Sequence, residues 1–111
     1  MTTVFGEIIA GNIPCNKIYE DDEFISFYDL YPQAPVHVLI VPKKPLKNIQ
    51  DAKEDDALML GKALLLAASL AKKLGIEKGY RVLTNVGHDA GQTIFHIHFH
   101  LLGGCQLENL R

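Results

Sequence analysis

Three histidines, His96, His98 and His100, alternate with hydrophobic residues near the end of the chain. Alternate side chains of a β-strand point to the same face, so a strand over residues 95–102 would present three imidazoles together. Val or Thr would pack in such a strand at least as well. Three neighbouring titratable rings therefore indicate function rather than packing.

Such rings serve either a metal site or nucleophilic catalysis. The outer two are separated by roughly 13 Å of extended chain, whereas zinc–nitrogen bonds measure about 2.0–2.1 Å, so all three cannot readily share one ion. A metal held by His98, His96 and His37 is the alternative.

For catalysis the middle ring, His98, is the natural nucleophile, because a neutral imidazole with a pKa of about 6.5 is largely unprotonated at pH 7. We expect the electrophile to be phosphorus, since a protonated neighbouring ring would neutralise a phosphate.

The residues before this segment form a glycine-containing loop, residues 85–93. Its small residues would let backbone N–H groups approach an anion, although such a loop is more often a plain connection. No Gly-Lys-Ser/Thr phosphate-binding motif is present in it. We interpret His88 as a solvated loop residue.

The remaining pattern predicts the elements that position these histidines. A short helix is predicted over residues 4–10, and strands over residues 17–19, 24–28, 36–41, 80–84 and 95–102. One long helix is predicted to begin near Asp51, with Glu54 completing a capping box. Its apolar face would comprise Ala57, Leu60, Leu64, Ala67, Leu70, Ala71 and Leu74. The order predicts an α+β fold, an antiparallel sheet of about five strands with one long and one short helix.

Size and composition narrow the functional classes. We expect 111 residues to form one domain, residues 1–111, and a net charge of −2 argues against nucleic-acid binding. The sequence has neither a signal-peptide pattern nor an apolar run long enough for a membrane, so we expect a cytoplasmic protein. Cys15 and Cys105 have no metal-knuckle spacing and are expected to be free. The small size and an uncovered sheet edge favour a homodimer.

Residues 96–102 fit the pattern His-φ-His-φ-His-φ-φ, where φ is hydrophobic, and this pattern resembles the motif of the histidine triad family. Residues 4–9, 19–22, 29–37, 40–44 and 91–93 are similar to the Hint branch of that family, as is the Gly103-Gly104 pair after the triad. The resemblance covers nearly the whole chain. The resemblance implies a HIT-like fold whose sheets join across a homodimer. It also implies a purine nucleoside phosphoramidase that uses no cofactor or metal.

By the same resemblance, His98 attacks the α-phosphorus of adenosine or guanosine phosphoramidates, including aminoacyl or amine adenylates, and forms a covalent nucleotidyl-histidine. His100 would contact the phosphate, Thr93 would bond the leaving group, and His37 and His96 would support His98. The residues implied to bind the nucleotide are Phe5, Ile8, Phe27, Asp29, Leu30, Asn85, Gly91, Gln92, Thr93, His98 and His100.

The chain departs from many relatives at three places. Thr3 and Gly6 stand where a zinc-binding Cys pair is frequent, so no structural zinc is expected. The tail, residues 106–111, lacks the tryptophan that some Hint proteins have, and Pro45 replaces a frequent histidine. A Fhit-like dinucleoside polyphosphate hydrolase and a nucleotide-binding adaptor with incidental activity are the alternative functions.

Overall fold

A computed structural model of the chain describes residues 3–108. Its elements in chain order are α1 (Val4–Ile9), β1 (Lys17–Glu20), β2 (Phe24–Tyr28), β3 (Val36–Pro42), α2 (Ala57–Lys73), β4 (Tyr80–Leu83) and β5 (Phe99–Gly103). Within that range, single turns of 3-10 helix occur at Ile49–Asp51, Glu54–Asp56 and His88–Ala90. The predictions for the first two residues and for residues 109–111 of the tail lie outside the described residues.

The five strands form one antiparallel sheet in the order β1-β2-β3-β5-β4. The central strand β3 is almost continuously apolar and buried, as expected for a strand covered on both faces. Its one polar side chain is His37, which is buried. The predicted α+β fold with one long and one short helix is therefore confirmed.

The two faces of the sheet carry separate apolar clusters. Helix α2 covers one face, where its small residues Ala63, Ala67 and Ala71 allow close approach to the strands. The short helix α1 covers part of the other face, where Phe5 and Ile8 pack against residues of β2 and β3. No helix in residues 3–108 is both long and apolar enough to span a membrane.

The predicted beginning of the long helix was wrong. Helix α2 begins at Ala57, because Ala52 and Lys53 are extended and interrupt the helical hydrogen bonds. The expected capping pair is replaced by two others: the Asn48 side chain accepts from the N–H of Gln50, and the Asp56 carboxylate accepts from the N–H of Lys53. Two predicted members of the buried face, Leu64 and Ala57, are exposed.

The last strand also begins later than predicted. Strand β5 starts at Phe99, and the Ile97 N–H donates to the carbonyl of Leu46 instead of a strand neighbour. Strand β3 has ended at Pro42, whose nitrogen has no hydrogen to donate to a ladder. Residues 96 and 98 therefore precede the strand, although their side chains still alternate. At the other end of β5, a Cβ at position 103 would lie 2.7 Å from Cδ1 of Ile76, so a residue larger than glycine there would require the Ile76 side chain to shift.

Candidate active site

A cavity of about 440 Å³ lies beside α1, the loop after β2, and residues 85–94. Every residue that the sequence predicted to bind nucleotide lines it. These residues are Phe5, Ile8, Phe27, Asp29, Leu30, Asn85, Gly91, Gln92, Thr93, His98 and His100. The loops that carry them are distant in sequence, and the sheet brings them together.

One wall of this cavity is apolar and the other carries the histidines. Phe5, Phe27 and Leu39 are buried in the apolar wall, and the Phe5 and Phe27 rings meet edge to face with centroids 5.6 Å apart. Phe5 also contacts His98, with ring centroids 4.9 Å apart. A ligand with one flat apolar part and one polar part fits this division.

His98 has a fixed orientation and a defined proton position. Its Nδ1 lies 2.7 Å from the backbone carbonyl of His96, and because a carbonyl only accepts, Nδ1 carries the hydrogen. The Nε2 atom of neutral His98 is therefore an unprotonated lone pair. Within residues 3–108 no hydrogen bond occupies that atom.

The proton on His100 is determined through His37. The backbone N–H of Gln33 donates to Nδ1 of His37 at 3.0 Å, so neutral His37 carries its hydrogen on Nε2. That Nε2 lies 2.9 Å from Nδ1 of His100, which must accept. Neutral His100 consequently carries its hydrogen on Nε2. The two neighbouring rings thus offer opposite groups: a lone pair on His98 and an N–H donor on His100.

Burial keeps these imidazoles neutral. Loss of solvation lowers the pKa of His98, although the hydrogen bond to the His96 carbonyl partly opposes this change. Burial, together with neighbouring His98 and His37, lowers the pKa of His100 to about 4. Burial also lowers the pKa of His37, and the nearby Asp29 carboxylate opposes that shift. At pH 7 the unprotonated forms dominate, so the hydrogen-bond pattern above applies.

His96 does not line the cavity. Its ring is buried, and Nε2 donates to the carbonyl of Pro42 at 2.7 Å. Its own carbonyl accepts the Nδ1 hydrogen of His98. His96 thereby joins the end of β3 to the orientation of His98, a supporting position rather than a contact with the cavity.

The metal alternative is not matched by the arrangement found. His98, His96 and His37 do not converge; the potential ligand atoms that lie within 4.8 Å of one another in residues 3–108 belong to Asp29, His37 and His100. A metal on Nε2 of neutral His37 would require a hydrogen on Nδ1. The Gln33 N–H already points at Nδ1, so this cluster does not fit a metal without rearrangement.

Residues 85–93 are held in shape by Gln92, which is only 2% exposed. Its Oε1 accepts from the Asn48 side chain and the Gly87 N–H, and its Nε2 donates to the carbonyls of Lys47 and Ile94. The polar atoms of this side chain are therefore used within the protein. The Gln92 side chain therefore fixes the loop that lines the cavity, and the nucleotide contact implied by the resemblance stays a prediction for this residue.

The sequence reasoning missed several residues of this site. Leu39 was detectable, because it shares a strand face with His37 and packs in the cavity wall. Gln33 and Asn48 act on the site through loop contacts that connect distant segments. The pattern of residue types in the sequence does not predict such contacts.

A sheet of this order with alternating histidines beside one cavity defines the class of histidine triad (HIT) proteins. A family model for the HIT domain matches residues 10–107. An uncharacterized HIT-like protein from Chlamydia trachomatis is 50% identical over 110 residues, 99% of each chain. The chain belongs to the HIT family.

Solved structures agree with this assignment. A HIT family hydrolase from Legionella pneumophila superposes with a TM-score of 0.93 at 42% identity, covering 95% of both chains. A histidine triad nucleotide-binding protein from Candida albicans has a TM-score of 0.81 at 32% identity, covering 99% of this chain and 86% of the other.

Proposed function

We propose that this protein hydrolyses purine nucleoside phosphoramidates through a covalent nucleotidyl-histidine on His98. The observation that carries the proposal is the Nε2 lone pair of His98, fixed by the His96 carbonyl and placed beside the N–H of His100. The names of similar proteins, a HIT family hydrolase and a histidine triad nucleotide-binding protein, support the reaction and ligand classes.

The nucleotide would lie along the cavity with its base against the apolar wall. Phe5, Ile8, Phe27 and Leu39 form that wall, and Leu30, which is 84% exposed, also lines the cavity. Asp29 would accept hydrogen bonds from the ribose hydroxyls, since it lines the cavity and its Oδ2 lies 3.4 Å from Nε2 of His37. The phosphate would then lie near His98, His100 and the loop of Asn85 and Gly91.

In the first step, Nε2 of His98 attacks the α-phosphorus, a P–N bond to His98 forms, and the P–N bond to the amine breaks. The electron pair of the broken bond stays on the amine nitrogen, which takes a proton from the Thr93 hydroxyl as that hydroxyl takes one from solvent. His100 donates its Nε2 hydrogen to a phosphate oxygen and stabilises the developing charge. His98 becomes positively charged on nucleotide transfer, and the His96 carbonyl accepting from Nδ1 stabilises that charge.

In the second step, water attacks the same phosphorus. A P–O bond forms, the P–N bond to His98 breaks, and its electrons return to Nε2 as the lone pair. The water proton passes to solvent, and the nucleoside monophosphate leaves. Substrate and water are thereby converted to nucleotide and amine with no metal or cofactor in either step.

The decisive experiment is mass spectrometry after brief acid quench with adenosine 5′-phosphoramidate. We expect an adenylyl adduct on the peptide that contains His98, and kcat at least about 1,000-fold lower in His98→Ala. His88→Ala is the matched control, because His88 lines neither cavity of the site, and we expect it to keep its turnover.

Three results would contradict the proposal. Turnover that persists in His98→Ala excludes His98 as nucleophile. Loss of activity with EDTA together with stoichiometric zinc in the purified protein would favour metal chemistry instead. Faster turnover of diadenosine triphosphate than of adenosine phosphoramidates would favour the dinucleoside polyphosphate reaction.

We also propose that the active molecule is a homodimer. Leu58 and Leu65 on α2 are 71% and 72% exposed, and Gly61 between them has open space where a side chain would stand. Strand β4 is an edge strand that packs beside α2. A second copy that pairs with β4 would cover both the open edge and these leucines.

A further inference from the structure

A second cavity, of about 610 Å³, lies on the other side of His100. It shares Gln33, Asn85 and His100 with the first cavity, so the two meet where the phosphate is proposed to lie. In the proposed reaction the base and ribose fill the first cavity. The group beyond the phosphate then has this second cavity available to it.

Arg81 of β4 lines this second cavity. In the sheet it pairs with Leu102, which also pairs with His37, so these three side chains lie on the face that carries His100. His100 itself pairs with Leu83, which makes Arg81 its diagonal neighbour at about 7–8 Å between backbones. The guanidinium group is therefore within a short ligand's length of the histidines.

Arg81 is half-buried and has no hydrogen bond or ion pair within residues 3–108. Glu108 lines the same cavity but forms no ion pair with Arg81. Lys43 and Lys44, by contrast, are paired with the carboxylates of Glu20 and Asp56. A planar guanidinium facing a cavity is suited to bidentate binding of a carboxylate or a phosphate.

We propose that Arg81 binds a carboxylate on the amine that is released, so that the preferred substrates are nucleoside phosphoramidates of amino acids linked through nitrogen. This inference rests on the proposed function. A carboxylate is favoured over a further phosphate because the unpaired arginine is the one cation lining this cavity in the described part of the chain, and the cavity also contains Glu108. A polyphosphate chain would bring several negative charges into a cavity whose lining offers one positive side chain, Arg81, and one negative side chain, Glu108.

The test compares kcat/KM for two adenosine 5′-phosphoramidates, one of glycine and one of glycinamide. The compounds are nearly equal in size and differ in the carboxylate. Their amines also differ in basicity. This difference cancels when the ratio of the two kcat/KM values, glycine over glycinamide, is compared between a variant and the wild type. Any general loss of activity cancels in the same way.

We expect Arg81→Gln to lower this ratio by about 10-fold or more, the value of a charge-assisted hydrogen bond. Arg81→Lys should give an intermediate ratio, because lysine keeps the charge and loses the bidentate geometry. Lys78→Gln is the matched control: it removes an exposed charge that lines neither cavity, and the ratio should stay at the wild-type value.

An unchanged ratio in Arg81→Gln would overturn the inference. So would a loss confined to diadenosine triphosphate, which would assign Arg81 to a phosphate. Failure of the proposed function is distinguishable from both results, because the wild type would then form no adduct on His98 with either phosphoramidate.

Discussion

Each histidine of the site has its hydrogen on an atom determined by a different partner. The Gln33 N–H fixes His37, His37 fixes His100, and the His96 carbonyl fixes His98. Burial lowers the pKa of these rings, so they remain neutral and keep this pattern at pH 7. In the proposed reaction, His98 can therefore attack and His100 can donate without a proton transfer beforehand.

The lowered pKa of His100 predicts a pH-dependent stability. Its folded-state value is about 4 and its unfolded value about 6.5, so the unfolded chain binds more protons between them. The stability that neutral His100 contributes is therefore complete above pH 6.5 and is lost as the pH falls toward 4. We expect His100→Gln to reduce the loss between pH 6.5 and 4.5 by about 2 kcal/mol, as measured by urea unfolding.

Thr93→Val is the control, since it alters the same cavity without removing a titrating group. It should show the wild-type decline in stability. An equally steep decline in His100→Gln would mean that His100 is not the group responsible.

At the scale of elements, the loop over residues 85–93 depends on one side chain. Gln92 joins it to Asn48 and to the Lys47 carbonyl, so the segment after β3 and the loop before the triad hold each other in place. Gly87 and Gly91 have φ values of 84° and 86°, which other residues rarely adopt. The conformation at Asn85 and Thr93 follows from these contacts.

Gln92→Leu tests this dependence. The substitution leaves the buried Asn48 side chain and part-buried backbone groups of Gly87 and Lys47 without their Gln92 partner, and we expect the free energy of unfolding to fall by about 2–3 kcal/mol. Gln50→Leu, at an exposed position, is the control and should change it by less than about 0.5 kcal/mol. Urea unfolding measures both, and equal stabilities would show that Gln92 does not anchor the loop.

The strands and the alternation of the triad could be predicted from the sequence because both depend on local pattern. Strand β2 has the predicted bounds, and β3 extends one residue further. The start of α2 and the start of β5 could not be predicted, because they depend on Asp56 bonding Lys53 and on Ile97 bonding Leu46. The same limit applies to the site: the roles of Gln33 and Asn48 arise only from tertiary contacts.

At the scale of the molecule, the sheet separates the candidate active site from the surface proposed for dimerisation. The face beneath α1 carries both cavities, whereas the exposed side of α2 carries Leu58 and Leu65, which line neither cavity. Strand β4 belongs to both regions: Arg81 and Leu83 line the second cavity, and the strand is a free edge of the sheet. Dimerisation at β4 would therefore place a partner next to the cavity proposed for the leaving amine.

Leu65→Glu tests the proposed homodimer. In a two-fold interface each substitution occurs twice, and two carboxylates would be buried against apolar surface, so we expect a predominantly monomeric protein at micromolar concentration where the wild type is dimeric. Sedimentation velocity measures the change.

The control is Ile49→Glu, which alters an exposed apolar residue away from α2 and should remain dimeric. If Leu65→Glu sediments as a dimer, α2 is not in the interface; if the wild type sediments as a monomer, the dimer proposal fails. Retention of kcat/KM for the glycine phosphoramidate in monomeric Leu65→Glu would show that the second cavity is complete within one chain.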